Sequence, residues 1–158
     1  MFQSASMKRS AGLLMYRRKD GWLEVLLVHP GGPFWAKRDD GAWSFPKGEY
    51  DGQVENALDA AKREFVEETG FTPGTCFASL GEARQRSGKL VCAWAFEGDC
   101  DPRTLVSNRF ELEWPPRSGY LRSYPEADRA AWFTAAAARP KILPGLAIFI
   151  DRLEALRA

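Results

Sequence analysis

The stretch that most constrains the fold is residues 55–70, ENALDAAKREFVEETG, which predicts one well-bounded α-helix. Asn56 is a residue type that caps helix N-termini, and Gly70 is the type that ends helices in the left-handed conformation. Between them, apolar residues recur at helical spacing and predict the buried stripe of the helix: Leu58, Ala61 and Phe65. The sequence therefore predicts a helix with one face in a core.

Three carboxylates, Glu64, Glu67 and Glu68, fall on one face of this helix, within an arc of roughly 100°. Like charges three and four residues apart repel by a few tenths of a kcal/mol. One interpretation is a solvated face on which the glutamates pair with Lys62 and Arg63. The other is a divalent-cation site, because Mg²⁺ prefers clustered carboxylate and carbonyl oxygens. A glycine-containing loop leads into the helix and exposes backbone groups, which favours the cation site.

The composition of the chain is that of an ordinary globular protein. It has 158 residues, of which 45% are hydrophobic and 27% are charged, with a formal net charge of +1. We expect a single domain over residues 1–158, with residues 1–6 as a loose tail. The small net charge gives no general attraction to nucleic acid or to an anionic membrane. No apolar run approaches the roughly 20 residues that cross a bilayer, and three cysteines without a C-x-x-C pair fit a reducing cytoplasm.

The remaining segments predict strands on both sides of this helix and a second helix at the end of the chain. Residues 10–30 predict two strands joined by an Asp-Gly turn, and residues 77–98 predict a second hairpin. Residues 109–116, RFELEWPP, alternate as a strand that stops at the two prolines. Residues 127–142 predict a strand end or a short helix, and residues 145–158 predict an amphipathic helix. Mixed strands with two flanking helices predict an α/β sandwich.

Residues 48–71, GEYDGQVENALDAAKREFVEETGF, resemble the signature of the Nudix hydrolases. That signature is Gly, five residues, Glu, seven residues, Arg-Glu, an aliphatic residue, any residue, Glu-Glu, any residue, Gly and an aliphatic residue. Here Glu55, Arg63-Glu64, Glu67-Glu68 and Gly70 are in register, but six residues separate Gly48 from Glu55. The resemblance implies a Nudix-type α/β/α sandwich with a central mixed β-sheet and flanking helices.

The resemblance also implies roles for residues of the motif. The metal ligands would be Glu64, Glu67, Glu68 and the Gly48 carbonyl, and the cofactor would be Mg²⁺ or Mn²⁺. Glu64 or Glu67 would act catalytically by orienting the attacking water. The pair formed by Glu55 and Arg63 would brace the loop against the helix.

A carboxylate from a later strand is the alternative source of the general base. Glu111 and Glu113 are the residues we consider for this second-site role, because both project from the polar face of RFELEWPP. The simpler interpretation is that both face solvent. His29, the only histidine, is expected to have a packing role, because no activated serine stands near it in the sequence.

Substrate contacts are expected from cations and aromatic rings near the motif. Lys47 is next to Gly48, and Arg84 is a further candidate for a phosphate contact. Phe34 and Trp35 lie in the loop before the motif and Tyr50 within it, where an aromatic ring can stack on a nucleobase. Packing in the core is the alternative for one of the two loop aromatics.

The resemblance implies hydrolysis of a pyrophosphate bond in a nucleoside polyphosphate-type substrate. The FPKGE stretch is similar to members that hydrolyse dinucleoside polyphosphates, while a nucleoside triphosphate or a nucleotide sugar stays open. A second possible activity is that of an RNA 5′-end pyrophosphohydrolase, which needs a broader basic face. A non-catalytic nucleotide-sensing module and an interaction domain are two further alternative functions. We expect a small nucleotide-type ligand, no membrane, no stable nucleic acid partner, and an oligomeric state that leaves a homodimer open.

Overall fold

The computed structural model describes residues 8–157, and the tail predicted for residues 1–6 lies outside them. The described chain contains eight strands and three α-helices, with short 3₁₀ turns at Pro102–Thr104 and Pro144–Leu146. In chain order these elements are β1 (Arg9–Lys19), β2 (Trp22–Pro30), β3 (Lys47–Glu49), α1 (Ala57–Thr69), β4 (Ala78–Arg84), β5 (Leu90–Glu97), β6 (Arg109–Glu113), β7 (Leu121–Pro125), β8 (Ala127–Thr134), α2 (Ala135–Lys141) and α3 (Ala147–Arg157).

Six of the strands form one mixed sheet, which confirms the predicted sheet type. The order is β4-β5-β1-β2-β8, and the short strand β3 pairs with the first part of β1. Strands β1 and β5 run parallel, whereas the other neighbours in this sheet run antiparallel. Strands β1 and β2 form the predicted hairpin, and its turn at Asp20 and Gly21 has positive φ at both residues, as a two-residue hairpin turn requires.

Helices cover both faces of this sheet, so the architecture is the predicted α/β/α sandwich. Successive side chains of β1 point to opposite faces: Leu13 and Met15 pack under α1, whereas Leu14 and Tyr16 pack on the side of α2 and α3. Phe65 anchors α1 and is fully buried. The largest buried side chains on the opposite face are Leu14, Leu27, Phe45, Ile142, Leu146, Phe149, Ile150 and Leu153.

Helix α1 has the caps predicted from the sequence. The Asn56 side chain accepts a hydrogen bond from the Asp59 backbone N–H at 2.8 Å. Gly70 ends the helix at φ 73° and donates its N–H to the Val66 carbonyl. The predicted stripe is confirmed at Ala61 and Phe65, while Leu58 is only partly buried. The three glutamates flank this stripe and are partly buried.

Two segments differ from the simplest sequence prediction. Residues 109–125 form a separate two-stranded ribbon, because β6 pairs with β7 and not with the main sheet. Residues 127–141 contain both a strand and a helix, with Thr134 capping α2 through the Ala137 N–H. Both alternatives left open for residues 127–142, a strand end and a short helix, are therefore present. None of the helices described within residues 8–157 has the length and hydropathy needed to span a membrane.

Candidate functional site

A cavity of about 450 Å³ lies where the carboxylate face of α1 meets β3. Strand β3 and helix α1 both contribute residues to it, together with two residues from later parts of the chain. Its lining residues are Lys47, Gly48, Glu49, Glu64, Glu67, Glu68, Asn108 and Glu126. We call this the carboxylate cavity. It brings together all four of the predicted metal ligands.

Gly48 lies directly against Glu64 in this cavity. A Cβ atom built on Gly48 would stand 2.1 Å from the Glu64 Cδ, so no side chain fits at position 48 while the carboxylate stays in place. The additional residue between Gly48 and Glu55 is accommodated in a turn in which the N–H groups of Val54 and Glu55 both bond the Asp51 carbonyl. The longer loop therefore leaves the backbone of Gly48 in contact with the helix.

Arg63 forms a hydrogen-bond network across the motif. Its Nη2 lies 2.5 Å from Glu55 Oε1, which places the predicted partners in contact. Its Nη1 contacts Glu64 at 2.9 Å and Glu67 at 3.2 Å. The hydrogen bond from Arg63 lowers the pKa of Glu55. The guanidinium thus partly neutralises two of the three clustered glutamates and holds them beside each other.

Glu68 is the most buried carboxylate of the cluster, and its Oε2 accepts a hydrogen bond from the Lys47 backbone N–H at 2.7 Å. Burial, reinforced by the charge of Glu64 and opposed by this hydrogen bond, raises its pKa to about 8. Burial also raises the pKa of Glu64 and lowers that of the Lys47 ammonium. The interior of the cavity therefore disfavours isolated charges and would favour an added cation among the carboxylates.

Glu126 is a cavity carboxylate that the sequence did not point to. It precedes β8, its N–H bonds the Asn108 carbonyl at 2.9 Å, and its own carbonyl accepts the Gly31 N–H. The Asn108 N–H in turn bonds the Glu67 carbonyl at 2.7 Å. Burial raises the pKa of Glu126. The only sequence indication was an acidic residue directly before the segment 127–142, and that position alone does not reveal a contact with α1.

Glu111 and Glu113 lie elsewhere. Both are exposed on β6 of the separate ribbon, and neither lines the carboxylate cavity. Arg84 is also exposed, on β4, where its Nη1 bonds the Gly88 carbonyl at 3.1 Å. His29 is fully buried, with its ring nitrogens 2.8 Å from Asp128 Oδ1 and 2.6 Å from the Arg38 carbonyl. These contacts fit the packing role expected for His29.

The aromatic candidates occupy three different environments. Trp35 is partly buried and lines a smaller cavity of about 190 Å³, which shares Lys47, Glu68 and Glu126 with the carboxylate cavity. Phe34 is 62% exposed and packs edge-on against Trp114, with ring centroids 5.2 Å apart. Tyr50 packs against the core under α1. Trp35 is therefore the aromatic residue that the structure places next to the carboxylates.

The donor set fits a divalent cation such as Mg²⁺ or Mn²⁺. It offers only oxygen ligands, from the carboxylates of Glu64, Glu67, Glu68 and Glu126 and from the Gly48 carbonyl, around one cavity. Within residues 8–157, no three His, Cys, Asp or Glu side chains already converge as a metal-binding group. Glu64 and Glu67 are paired with Arg63 and not directed at a common point. Their side chains would have to rotate before both could bind one cation. The Glu67 side chain is 40% exposed and has room to rotate.

The raised pKa of Glu68 predicts a pH dependence of stability in protein without divalent ions. The folded chain keeps a proton on Glu68 up to about pH 8, whereas the unfolded chain releases it near the ordinary value of 4.5. The unfolded state then binds fewer protons, so the free energy of unfolding falls as pH rises through that window. Urea unfolding in a chelator should show this fall in the wild type and a shallower one in Glu68→Gln. Equal slopes for the two proteins would contradict the buried, protonated state of Glu68.

Comparison with known proteins agrees with this geometry. A family model described as the NUDIX domain matches residues 7–153. No curated protein matches the chain. A C. elegans Ap4A hydrolase, solved as a binary complex, superposes with a TM-score of 0.62 at 21% identity, covering 96% of this chain and 98% of that one.

Two further solved structures share the fold. The NUDIX domain of Shewanella oneidensis NrtR, complexed with ADP ribose, has a TM-score of 0.63 at 16% identity, covering 98% of this chain and 91% of that one. The MutT protein from Methanosarcina mazei Go1 has a TM-score of 0.58 at 19% identity, covering 98% and 99%. At these identities, the only property of this chain that the structures establish is its fold. Because the family model spans most of the chain, including the carboxylate helix and the mixed sheet, the protein belongs to the Nudix family.

Proposed function

We propose that this chain is a Mg²⁺- or Mn²⁺-dependent pyrophosphohydrolase that cleaves a phosphoanhydride bond in a nucleoside polyphosphate-type substrate. One observation carries the proposal: five carboxylates and the Gly48 backbone line a single open cavity together with Lys47. A surface helix whose glutamates only face solvent would not need a partly buried Glu68 or a glycine against Glu64. The structure of an Ap4A hydrolase and that of a NUDIX domain with ADP ribose support a nucleotide as the ligand class.

The residues of the cavity have separable tasks in this proposal. Glu64, Glu68 and the Gly48 carbonyl would hold the cation, and Glu126 faces them from across the cavity. A bound divalent cation would neutralise charge on the phosphates and make water a stronger nucleophile. The Glu67 side chain is more exposed than that of Glu64. We therefore assign to Glu67 the task of orienting the attacking water and accepting its proton. Arg63 acts as a positioning residue, because it contacts both Glu64 and Glu67.

Lys47 and Trp35 extend the site towards a nucleoside. The Lys47 side chain packs closely against Gly12. A Cβ atom added to Gly12 would lie 2.6 Å from the Lys47 Cβ. Lys47 lines both the carboxylate cavity and the smaller cavity beside Trp35. We propose that Lys47 contacts a phosphate and that a nucleobase enters the cavity lined by Trp35 and Leu143. The three free cysteines fit a reducing compartment, and we propose the cytoplasm.

The test begins with Mg²⁺-dependent release of phosphate products from a panel of nucleoside triphosphates, nucleotide sugars and dinucleoside polyphosphates. On the best substrate, Glu126→Gln should lower kcat by at least about tenfold, because it removes a carboxylate from the cavity. The Glu111→Gln and Glu113→Gln variants carry the same chemical change on the exposed ribbon. If either of these variants lost activity while Glu126→Gln stayed fully active, the functional carboxylate outside α1 would be on β6 and would not be Glu126. Tight nucleotide binding without turnover in the wild type would support a sensing module instead.

A further inference from the structure

A cavity of about 790 Å³ lies along β8, the strand at one edge of the main sheet. We call it the β8 cavity, and it has no lining residue in common with the carboxylate cavity. Its lining combines four cationic side chains and two carboxylates with an apolar surface that includes Leu105, Val106 and Phe133. The Val106 side chain is 70% exposed, so part of this apolar surface is open to solvent.

Two of the four cations of the β8 cavity are neutralised by ion pairs. Lys141 pairs with Asp39, and its Nζ lies 3.1 Å from Asp40 Oδ1. The Arg103 Nη2 lies 3.0 Å from Asp101 Oδ2. The capacity of the cavity to hold an added anion therefore comes from the two other arginines of its lining.

Arg109 is the first of these arginines and stands at the start of β6. The contacts described for its guanidinium within residues 8–157 are with Ser123 and not with a carboxylate. Its Nε donates to the Ser123 Oγ at 2.7 Å, and its Nη2 donates to the Ser123 carbonyl at 2.9 Å. A guanidinium has five N–H donors, so Arg109 is oriented by Ser123 and keeps donors for a ligand.

Arg129, on β8, is the second arginine and is held in place by stacking. Its Cζ lies 5.1 Å from the centroid of the Trp43 ring, and a stacked guanidinium keeps the N–H groups of its edge available. Its Nε is 3.8 Å from Asp128 Oδ1, beyond hydrogen-bond distance, and that oxygen already contacts His29 Nδ1 at 2.8 Å. The Arg129 side chain is 56% exposed. Arg129 is therefore an oriented cation that an anion can reach.

The free edge of β8 adds an uncharged donor to the same cavity. Ala130 is opposite Val28 in the antiparallel pairing of β8 with β2. Val28 donates its N–H to the Ser44 carbonyl at 2.7 Å and accepts the Ser44 N–H at 3.0 Å, so its backbone points away from β8. Opposite residues of an antiparallel pair point either towards each other or away from each other. The backbone N–H of Ala130 therefore points to the free edge, and Ala130 lines the β8 cavity.

The β8 cavity and the carboxylate cavity lie on opposite sides of one wall. Ser107 and Arg109 line the β8 cavity, whereas Asn108 between them lines the carboxylate cavity. In the same way, Ala127 lines the β8 cavity and Glu126 lines the carboxylate cavity. The two segments are joined by hydrogen bonds from the Glu126 N–H to the Asn108 carbonyl and from the Ala127 N–H to the Ser107 Oγ. A ligand in the β8 cavity would therefore lie behind the catalytic carboxylates and not among them.

We infer that the β8 cavity is a second, non-catalytic ligand site and that it binds an organic phosphomonoester. Two guanidiniums without a close carboxylate partner match the nearly two negative charges of such a phosphate, which guanidinium groups bind through paired hydrogen bonds. The apolar surface beside them would contact the organic part, and the volume is that of a site for a small molecule. A carboxylate ligand has one charge for the two arginines, and inorganic phosphate has no apolar part.

A chemical-shift titration of ¹⁵N-labelled protein with phenyl phosphate, in a chelator, tests this inference. Phenyl phosphate has no anhydride bond to cleave, and the chelator removes any metal that would hold a phosphate in the carboxylate cavity. We expect saturable shifts at the N–H of Ala130 and no comparable shift at the N–H of Gly48. Benzoate and inorganic phosphate should each bind at least about fivefold more weakly, because each lacks one of the two recognised parts.

Substitutions of the two arginines locate the phosphate. Arg129→Ala and Arg109→Ala should each raise the Kd of phenyl phosphate about tenfold. Arg129→Lys should also raise it, because an ammonium keeps the charge but lacks the planar pair of donors. The matched control is Arg86→Ala, which removes an exposed arginine outside the β8 cavity and should leave the Kd unchanged. Thermal unfolding of each variant verifies that it is folded.

Three results would overturn the inference. The first is a wild type whose shifts do not saturate or lie around Gly48 and not around Ala130. The second is equal affinity for phenyl phosphate and benzoate. The third is wild-type affinity in folded Arg109→Ala and Arg129→Ala. Since the titration needs neither metal nor turnover, a chain that binds phenyl phosphate as expected but hydrolyses no substrate would refute only the proposed function.

Discussion

Glu67→Gln is expected to remove most turnover, by about 10²- to 10⁴-fold in kcat, while the protein stays folded. The substitution keeps the shape of the side chain and removes its charge and its basicity. Glu67 lies on the open side of the carboxylate cavity, where the described contacts of its side chain are with Arg63. Since the side chain is 40% exposed, its neutralisation should change the free energy of unfolding little.

Steady-state kinetics on the best substrate, together with thermal unfolding, separates these two effects. Glu97→Gln is the matched control, because Glu97 is exposed at the end of β5 and lies outside the cavity. Full activity of Glu67→Gln on every substrate that the wild type hydrolyses would show that the carboxylate face of α1 is not where catalysis occurs. Loss of folding in this variant would also contradict the assignment of Glu67 to function.

Gly48→Ala is the second substitution with a large expected effect. The added methyl would fall 2.1 Å from the Glu64 Cδ, so the carboxylate has to leave its place. Because the clash involves the end of a flexible side chain, the side chain can move away without displacing α1. We expect activity to fall by about 10²-fold, as for an angstrom-scale misplacement of a catalytic group. The free energy of unfolding should change by less than about 1 kcal/mol.

The same pair of measurements checks this result. Gly145→Ala serves as the control, because a Cβ there would make only ordinary contact, at 3.6 Å from Gln85 Cγ. If Gly48→Ala retained full activity, the position of Glu64 against the β3 backbone would not matter for function. If it unfolded instead, Gly48 would be needed for packing alone.

Local features of the sequence were sufficient to predict the central part of the site. Asn56 and Gly70 set the two ends of α1 through contacts with residues only a few positions away. Helical spacing alone places the three glutamates on one face of that helix. The hairpin of β1 and β2 follows in the same way from Asp20 and Gly21. The bracing roles of Glu55 and Arg63 stay a prediction, although the two side chains are in contact.

Features that depend on distant contacts were not predictable from a single sequence. Glu126 reaches the cavity because Asn108 links it through backbone hydrogen bonds to the end of α1, about 60 residues away in the chain. The alternation of RFELEWPP predicted a strand, but no local pattern shows that its partner is β7 and not the main sheet. The same lack of local information left Glu111 and Glu113 as candidates for a second-site carboxylate, whereas Glu126 is the later carboxylate that lines the cavity.

The central claim is that the carboxylate cavity binds divalent cations together with the phosphates of a nucleotide. The most direct measurement is a crystal structure with Mn²⁺ and α,β-methylene ADP, with anomalous data that locate the metal. We expect anomalous density in the cavity, coordinated by Glu64, Glu67 or Glu68 and by the Gly48 carbonyl, with the phosphates beside it. Clear nucleotide density with manganese bound elsewhere, or a cavity that holds only water, would contradict the claim.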